Sequence, residues 1–297
     1  MQNLHLGTIG WSYSFWRGTF YPNKTGSKDF LAYYASKFST VEVDNTFYRI
    51  PSQQAIANWK EQTPDGFSFS LKFPGVITHV KMLKDCQSET DLFLERAKIL
   101  KEKLGPLLLQ FPHSFGIERL SSLADFLHPK TQRYVIEVRD EGFLNDAFYS
   151  LLRDSNVALA WVDNPFMPSI SEVTSDFLYV RWEGDREKVK GTLGKIEVDV
   201  QENLRLWADK IKPYLSKEMN VFGYFGKYYS GYPPLLDVMS VGCVSGGFPD
   251  PTSGVEKGEV LFDSRGRGSL QQRKMVLHNN RCFRFIVQFR PKIFMVI

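Results

Sequence analysis

Polar and apolar residues alternate along several short stretches of the chain. In Phe67-Ser68-Phe69-Ser70-Leu71-Lys72-Phe73 the aromatic and leucine side chains share one face, and Ser68, Ser70 and Lys72 share the other. That period of two is the mark of a strand. In Val135-Ile136-Glu137-Val138-Arg139 the two charges share a face, as do Tyr179, Arg181 and Glu183 further on. Runs of this kind predict strands over 4–10, 40–43, 67–73, 107–111, 134–139, 157–162, 177–182 and 221–225. Between them the apolar spacing turns helical, for example from Asp91 to Leu100, and predicts helices over 28–38, 51–62, 89–103, 117–127, 144–154 and 200–216. Pro51 fits a first-turn proline and Ser88 an N-cap. The connection after Asp163 is short and proline-rich and predicts a poor helix. A last helix is expected from Pro233-Pro234 to Met239.

Eight strand–helix units in one series predict an α/β fold, a (β/α)₈ TIM barrel over residues 1–245 with a C-terminal extension over 246–297. An open doubly wound sheet is the alternative. That fold has fewer strands and often a glycine-rich phosphate turn, and neither GxGxxG nor GxxxxGK[ST] occurs in the sequence. An antiparallel sheet with one wet face would also alternate, but the intervening helices argue against it.

The strand ends carry the candidate chemistry. Seven of the eight runs finish on Glu42, Lys72, Gln110, Glu137 with Arg139, Asp163, Arg181 with Glu183, or Tyr224. Charge inside a parallel sheet is costly, and barrel enzymes place their sites at the C-terminal mouth of the strands.

Composition changes this picture little. The 297 residues are 43% hydrophobic and 24% charged, ordinary for a globular protein. No run approaches 18 apolar residues, so no membrane span is expected. The start MQNLHLGTIGWS lacks the regions of a signal peptide. Cys86, Cys243 and Cys282 are widely spaced, which predicts a reduced, cytoplasmic protein without structural zinc. The net charge of +4 is uneven: from residue 245 onward nine Lys and Arg face four Asp and Glu, against 28 and 29 before it. Charge therefore does not make the main body a nucleic-acid binder.

Several ordered segments carry a likeness. They are Ile9-Gly10-Trp11-Ser12-Tyr13, Phe15-Trp16-Arg17-Gly18, Phe20-Tyr21-Pro22, the run from Val41 to Pro51, Lys72-Phe73-Pro74, Ile77-Thr78-His79, the run from Leu104 to Pro112, Glu137-Val138-Arg139, Tyr179-Val180-Arg181 and Ser230-Gly231-Tyr232. Over residues 4–240 the chain resembles the YecE-like family, also called domain of unknown function 72. The resemblance implies a TIM barrel distantly related to sugar isomerase-type barrels, and leaves the reaction open. The family often has an asparagine pair after the last strand; this chain reads Tyr224-Phe225-Gly226-Lys227 there.

The residues support an enzyme acting on a small anionic or sugar-like, phosphorylated or not, substrate by isomerase- or hydrolase-type chemistry. Glu42 and Glu137 suit acid/base work or the binding of Mg²⁺ or Mn²⁺, with Asp163 in support and His79 as a proton carrier. Lys72, Arg139 and Arg181 suit an anion. Asn45, Tyr48, Gln110 and Tyr224 offer polar contacts, and Trp11, with Tyr13 and Trp16, a ring to stack on. Against this, the charges nearly cancel, which fits plain salt bridging, and the aromatics equally fit packing. The rival function is a nucleic-acid-binding or metal-dependent nuclease-like barrel using the aromatics, the arginines and the basic tail. The tail closes on an alternating strand-like run, Phe283 to Phe289.

Overall fold

The computed structural model describes residues 3–128, 132–189 and 194–232, and the backbone of 261–262 and 268–269. By compactness the chain divides into a unit of residues 1–248 and a second of 249–297. In the first, the strands are β1 (Leu4–Thr8), β2 (Thr40–Val43), β3 (Ser68–Lys72), β4 (Leu104–Gln110), β5 (Tyr134–Glu137), β6 (Ala158–Leu159), β7 (Trp161–Asp163), β8 (Phe177–Gly184) and β9 (Asn220–Gly226). Every pairing among them is parallel: β2-β3-β4-β5-β6 on one side and β7-β8-β9-β1 on the other. The predicted strand 157–162 is split at Ala160, whose N–H still donates to the Ile136 carbonyl at 2.9 Å. β6 and β7 are thus one run that pairs with β5 first and β8 next. The ring closes where Ile9 bridges Glu42 and Gly10 N–H reaches the Glu42 carbonyl at 2.8 Å. The architecture is the (β/α)₈ barrel that the alternation predicts.

That seam is tight. A Cβ on Gly7 would lie 2.1 Å from the Thr40 carbonyl oxygen, so only glycine lets β1 approach β2. The Tyr34 hydroxyl spans the seam, accepting from Thr8 N–H at 2.8 Å and donating to the Thr40 carbonyl at 3.0 Å.

The helices are α1 (Phe30–Ala35), α2 (Gln53–Glu61), α3 (Gln87–Ala97), α4 (Leu120–Leu127), α5 (Asp146–Asp154), α6 (Gln201–Leu215) and α7 (Lys227–Ser230). They cover a layer in which Phe69, Leu71, Phe73, Val180 and Trp182 are buried on the outer strand faces. A smaller inner cluster fills the lumen with Leu108, Val135, Ala158, Phe177, Tyr179, Phe222 and Tyr224. Ser70 is buried among these and bonds to the Tyr179 hydroxyl at 2.6 Å. The polar face of the alternating run is therefore the lumen.

Several local expectations change. No helix forms over 164–176, where two prolines interrupt the chain, so one βα unit lacks its helix. Ser52, not Pro51, marks the start of α2: its hydroxyl accepts from Ala55 N–H at 3.2 Å and Pro51 precedes it. Ser88 lies inside α3 and donates to Glu89, while Cys86 holds the N-cap position. The predicted helix 89–103 ends at Ala97 and continues as a 3₁₀ segment, Lys98–Lys103, in which Lys101 has a φ of +53°. The helix expected at 233–239, the strand-like run at 283–289 and Cys243 and Cys282 lie outside the described residues. In the second unit, β10 (Leu261–Phe262) pairs antiparallel with β11 (Gly268–Ser269).

Candidate functional site

Strand β8 supplies the centre of the mouth. Its alternation sends Phe177, Tyr179 and Arg181 into the lumen in rising layers, with Glu183 at the rim. Arg181 is 2% exposed and spends its donors on three carboxylates. Nε donates to Glu42 Oε2 and Nη2 to Glu42 Oε1, each at 2.9 Å, a bidentate pair. Nη1 donates to Glu137 and, at 2.6 Å, to Glu183 Oε1. The Tyr179 hydroxyl donates to Glu42 Oε2 at 2.8 Å from the layer below. Gln110 donates to Glu137 Oε1 at 2.6 Å.

Burial pushes the Glu42 carboxyl above its ordinary value despite Arg181 beside it. Burial acts on Glu183 too, but Arg181 and then Arg139 outweigh it, and this carboxyl sits below its ordinary value. The three surrounding carboxylates overcome burial at Arg181 and hold its guanidinium well above its usual range. Two carboxylates in one network are thus driven in opposite directions.

A second group lies toward β3 and β5. Lys72 donates to Asp44 Oδ1 at 2.9 Å and lies over the Phe47 ring at 4.5 Å. Burial would raise the Asp44 carboxyl, but Lys72 outweighs it and brings it down. Arg139 differs from Arg181. Its nearest carboxylate oxygens, on Glu137 and Glu183, stand at 3.6 Å, and its Nε is buried without a hydrogen-bond partner among the described residues. His79 sits on a single π-helical turn, Val76–Val80, with Nδ1 at 2.9 Å from the Thr78 hydroxyl and its ring edge-on to Phe47. Burial, then Lys72 and Arg139, lower its pKa, so the imidazole is held neutral.

The remaining predicted residues scatter. Asp163 turns away from the network and accepts from the Trp207 indole N–H of α6 at 2.6 Å. Tyr224 is buried one layer below the ions and bonds to the Thr40 hydroxyl at 2.9 Å. Asn45 is exposed and Tyr48 is 80% exposed on the turn after β2. Trp11 packs edge-on against Trp59 of α2, and Trp16 is fully buried; both rings are occupied by packing. Glu183, Tyr179, Asn164 and Asp44 complete the mouth without having been singled out as site residues. Glu183 and Tyr179 were signalled by sharing a face with Arg181; Asn164 had no signal beyond following Asp163.

The carboxylates do not fit a Mg²⁺ or Mn²⁺ centre. Glu42 and Glu137 both close on the Arg181 guanidinium, which stands where a shared cation would. Among the described residues no three His, Cys, Asp or Glu side chains converge as a metal-ligand set. No described helix is long and apolar enough to cross a membrane.

A parallel barrel with one arginine ringed by carboxylates at its strand ends defines the class: a (β/α)₈ barrel. The family described as protein of unknown function DUF72 matches residues 5–236. The chain belongs to that family. It is 34% identical over 142 residues to the UPF0759 protein YecE of Escherichia coli K12, which is 47% of this chain and 50% of that protein. It is 26% identical over 170 residues to UPF0759 protein YunF of Bacillus subtilis 168, covering 54% and 58%. The matches thus span about half the length of these curated relatives. A DUF72 family protein of Thermotoga maritima superposes with a TM-score of 0.69 at 26% identity, covering 80% of this chain and 96% of that one. A DUF72 family protein of Enterococcus faecalis, at 23% identity and a TM-score of 0.60, shares the fold over 77% and 91%.

Proposed function

We propose that the barrel is a proton-transfer enzyme acting on a small anionic, sugar-like substrate at this mouth. One observation carries the reading. Glu183, held ionised, and Arg139, with hydrogen-bonding capacity unspent, stand 3.6 Å apart above a sealed ion network. A carboxylate charged at neutral pH can accept a proton, and it is the rim position of Glu183 beside Arg139, not its basicity, that suits it to act as a general base. An arginine without close partners, flanked by Lys72 and His79, grips an anionic group and fixes the substrate against that base. Glu42 and Arg181 are positioning residues in this scheme. Both are sealed from solvent, and their bidentate contact sets the height and direction of Glu183. In an isomerisation of an α-hydroxy carbonyl, Glu183 takes the C–H proton of the hydroxyl-bearing carbon and returns it to the former carbonyl carbon, while the hydroxyl proton passes to the former carbonyl oxygen, leaving composition unchanged. In a hydrolysis it takes the proton of an attacking water and gives it to the leaving oxygen as that oxygen's bond breaks.

Incubating the protein with pentose and hexose phosphates in D₂O tests this. The expected result is solvent deuterium entering one carbon, or phosphate or sugar being released, with both lost in Glu183→Gln. Neither exchange nor release across that series, by a protein that folds normally, overturns the reading.

A further inference from the structure

Beside the mouth, on its β7–β8 side, a cavity of about 310 Å³ is lined in part by Asp163, Asn164, Asp185, Asp199, Asn203 and Tyr228. A second, of about 260 Å³, shares Asp163, Asn164 and Asn203 and runs on past Trp207 to Lys210. The shared residues make the two a single cleft. Its volume falls in the range of small-molecule sites, roughly 300–1,000 Å³. Asn164 joins the cleft to the ion network, because its amide nitrogen faces Glu183 Oε2 at 3.4 Å.

The lining has its own chemistry. Asp163 has one oxygen on the Trp207 indole. Asp199 has one on Gln201 N–H, and Asp185 has one on Glu187 N–H. Among the described residues Lys188, 3.8 Å from Asp185, and Lys210, whose ammonium feels the Asp163 charge, offset part of this negative charge and leave the lining net acidic. Asn203 accepts from the Tyr229 hydroxyl at 2.9 Å, which leaves its amide hydrogens as donors. The Tyr228 ring, with Arg186 and Lys227 over it at 5.0 and 5.1 Å, and the Trp207 ring, with Lys210 over it at 4.7 Å, supply flat walls. Three carboxylates repel an anion. Carboxylate oxygens beside an amide suit adjacent hydroxyl groups, each of which donates and accepts, and the rings suit the C–H face of a sugar. Across the mouth, Arg139 and Lys72, the latter paired with Asp44, stand beside the neutral His79 and form a basic environment.

We propose that the substrate is two-ended, with a neutral polyhydroxylated portion in the cleft of Asp163, Asn164, Asp199, Asn203 and Tyr228 and an anionic group on the Lys72–Arg139 side. This rests on the mouth being a substrate site and adds which end lies where. It places the reacting carbons between the two, over Glu183.

Calorimetric titration of the full chain tests the arrangement, using inorganic phosphate, neutral pentoses and hexoses, their monophosphates and putrescine. The sugar monophosphates are expected to bind at least about tenfold tighter than phosphate or the parent sugar alone. Asn203→Ala is expected to weaken sugar and sugar phosphate roughly tenfold, the worth of a lost hydrogen bond or two, and to leave phosphate unchanged. Asp199→Asn, which keeps the cap on Gln201, repeats the test with little risk to folding. Arg139→Ala is expected to do the reverse, weakening phosphate and sugar phosphate. Sugar phosphates weakened by Arg139→Ala but untouched by both cleft variants overturn the cleft and leave the mouth enzyme standing. Putrescine binding that the sugars do not compete for also overturns it, by making the cleft an amine site. Silence from every probe removes both this inference and the function it rests on.

Discussion

Arg181 presents Nε and Nη2 to the two oxygens of Glu42 at 2.9 Å each, with both side chains sealed inside the barrel. This pair bolts β8 to β2 across the lumen, and Glu137 and Glu183 complete the ring around the same guanidinium. Removing the cation would leave three carboxylates facing one another in a poorly solvated space. Arg181→Met is therefore expected to cost about 3–5 kcal/mol, the usual penalty for breaking a buried pair, read from urea midpoints. Adding Glu42→Gln should return part of that loss, because one orphaned charge is removed. With Glu42→Gln measured alone, a double variant whose loss equals the sum of the two single losses would show that Glu42 and Arg181 are not coupled.

Arg139 should behave oppositely. Its ion pairs are long and its side chain is 36% exposed, so Arg139→Ala is expected to change stability by less than about 1 kcal/mol. The same change should weaken phosphate binding at least about tenfold. A large stability loss with phosphate affinity intact would make Arg139 a structural residue.

The opposed carboxyls predict a divided pH response. Glu183 lies below its ordinary 4.5. Its contribution is complete above that value and drains away as the pH falls through the folded pKa. Glu42 lies above 4.5. The folded chain holds this proton more tightly than the unfolded chain does, so its contribution is largest below 4.5 and shrinks as the pH rises through the folded pKa. Urea midpoints between about pH 3 and 8 should show Glu183→Gln flattening the acid limb and Glu42→Gln flattening the decline above 4.5. Curves that stay parallel to the parent's across the range would contradict this assignment.

Asp163 links the mouth to α6 through the Trp207 indole. Asp163→Ala leaves a buried N–H without its acceptor and is expected to cost about 1–3 kcal/mol. Asp163→Asn keeps an acceptor and should cost less. Equal losses in the two would show that the indole bond is not what anchors the helix.

Period-two alternation was enough to place the polar side chains on the lumen face. Ser70 and Lys72 share a face in the sequence, and both point into the lumen; Tyr179, Arg181 and Glu183 do the same on β8. The partners were not legible. Nothing local to Glu42 says that an arginine on β8 will take both its oxygens, because that contact exists only once the ring has closed. Arg181 consequently read as an anion grip, and the structure places it wholly on carboxylates. His79 was visible as a loop histidine, but the π-helical turn that aims it is set by packing on Phe47. The cleft was invisible for a plainer reason. It is built from the helix-free connection after β7 and the chain before α6, where no periodic pattern betrays a surface.

The seam between β1 and its neighbours also has a consequence in time. Leu4 pairs with Val221 and Thr8 with Phe225, so β1 must wait for β9, made more than 200 residues later, before it can be hydrogen-bonded on that side. Until then the growing chain is a curved sheet with two open edges, each a template for another strand. Burial of Arg181 waits as well, since its bonds to Glu42 span the same gap. Closure of this barrel therefore depends on β9, and a chain halted before it would carry its polar strand ends and its bare edges into the cell together.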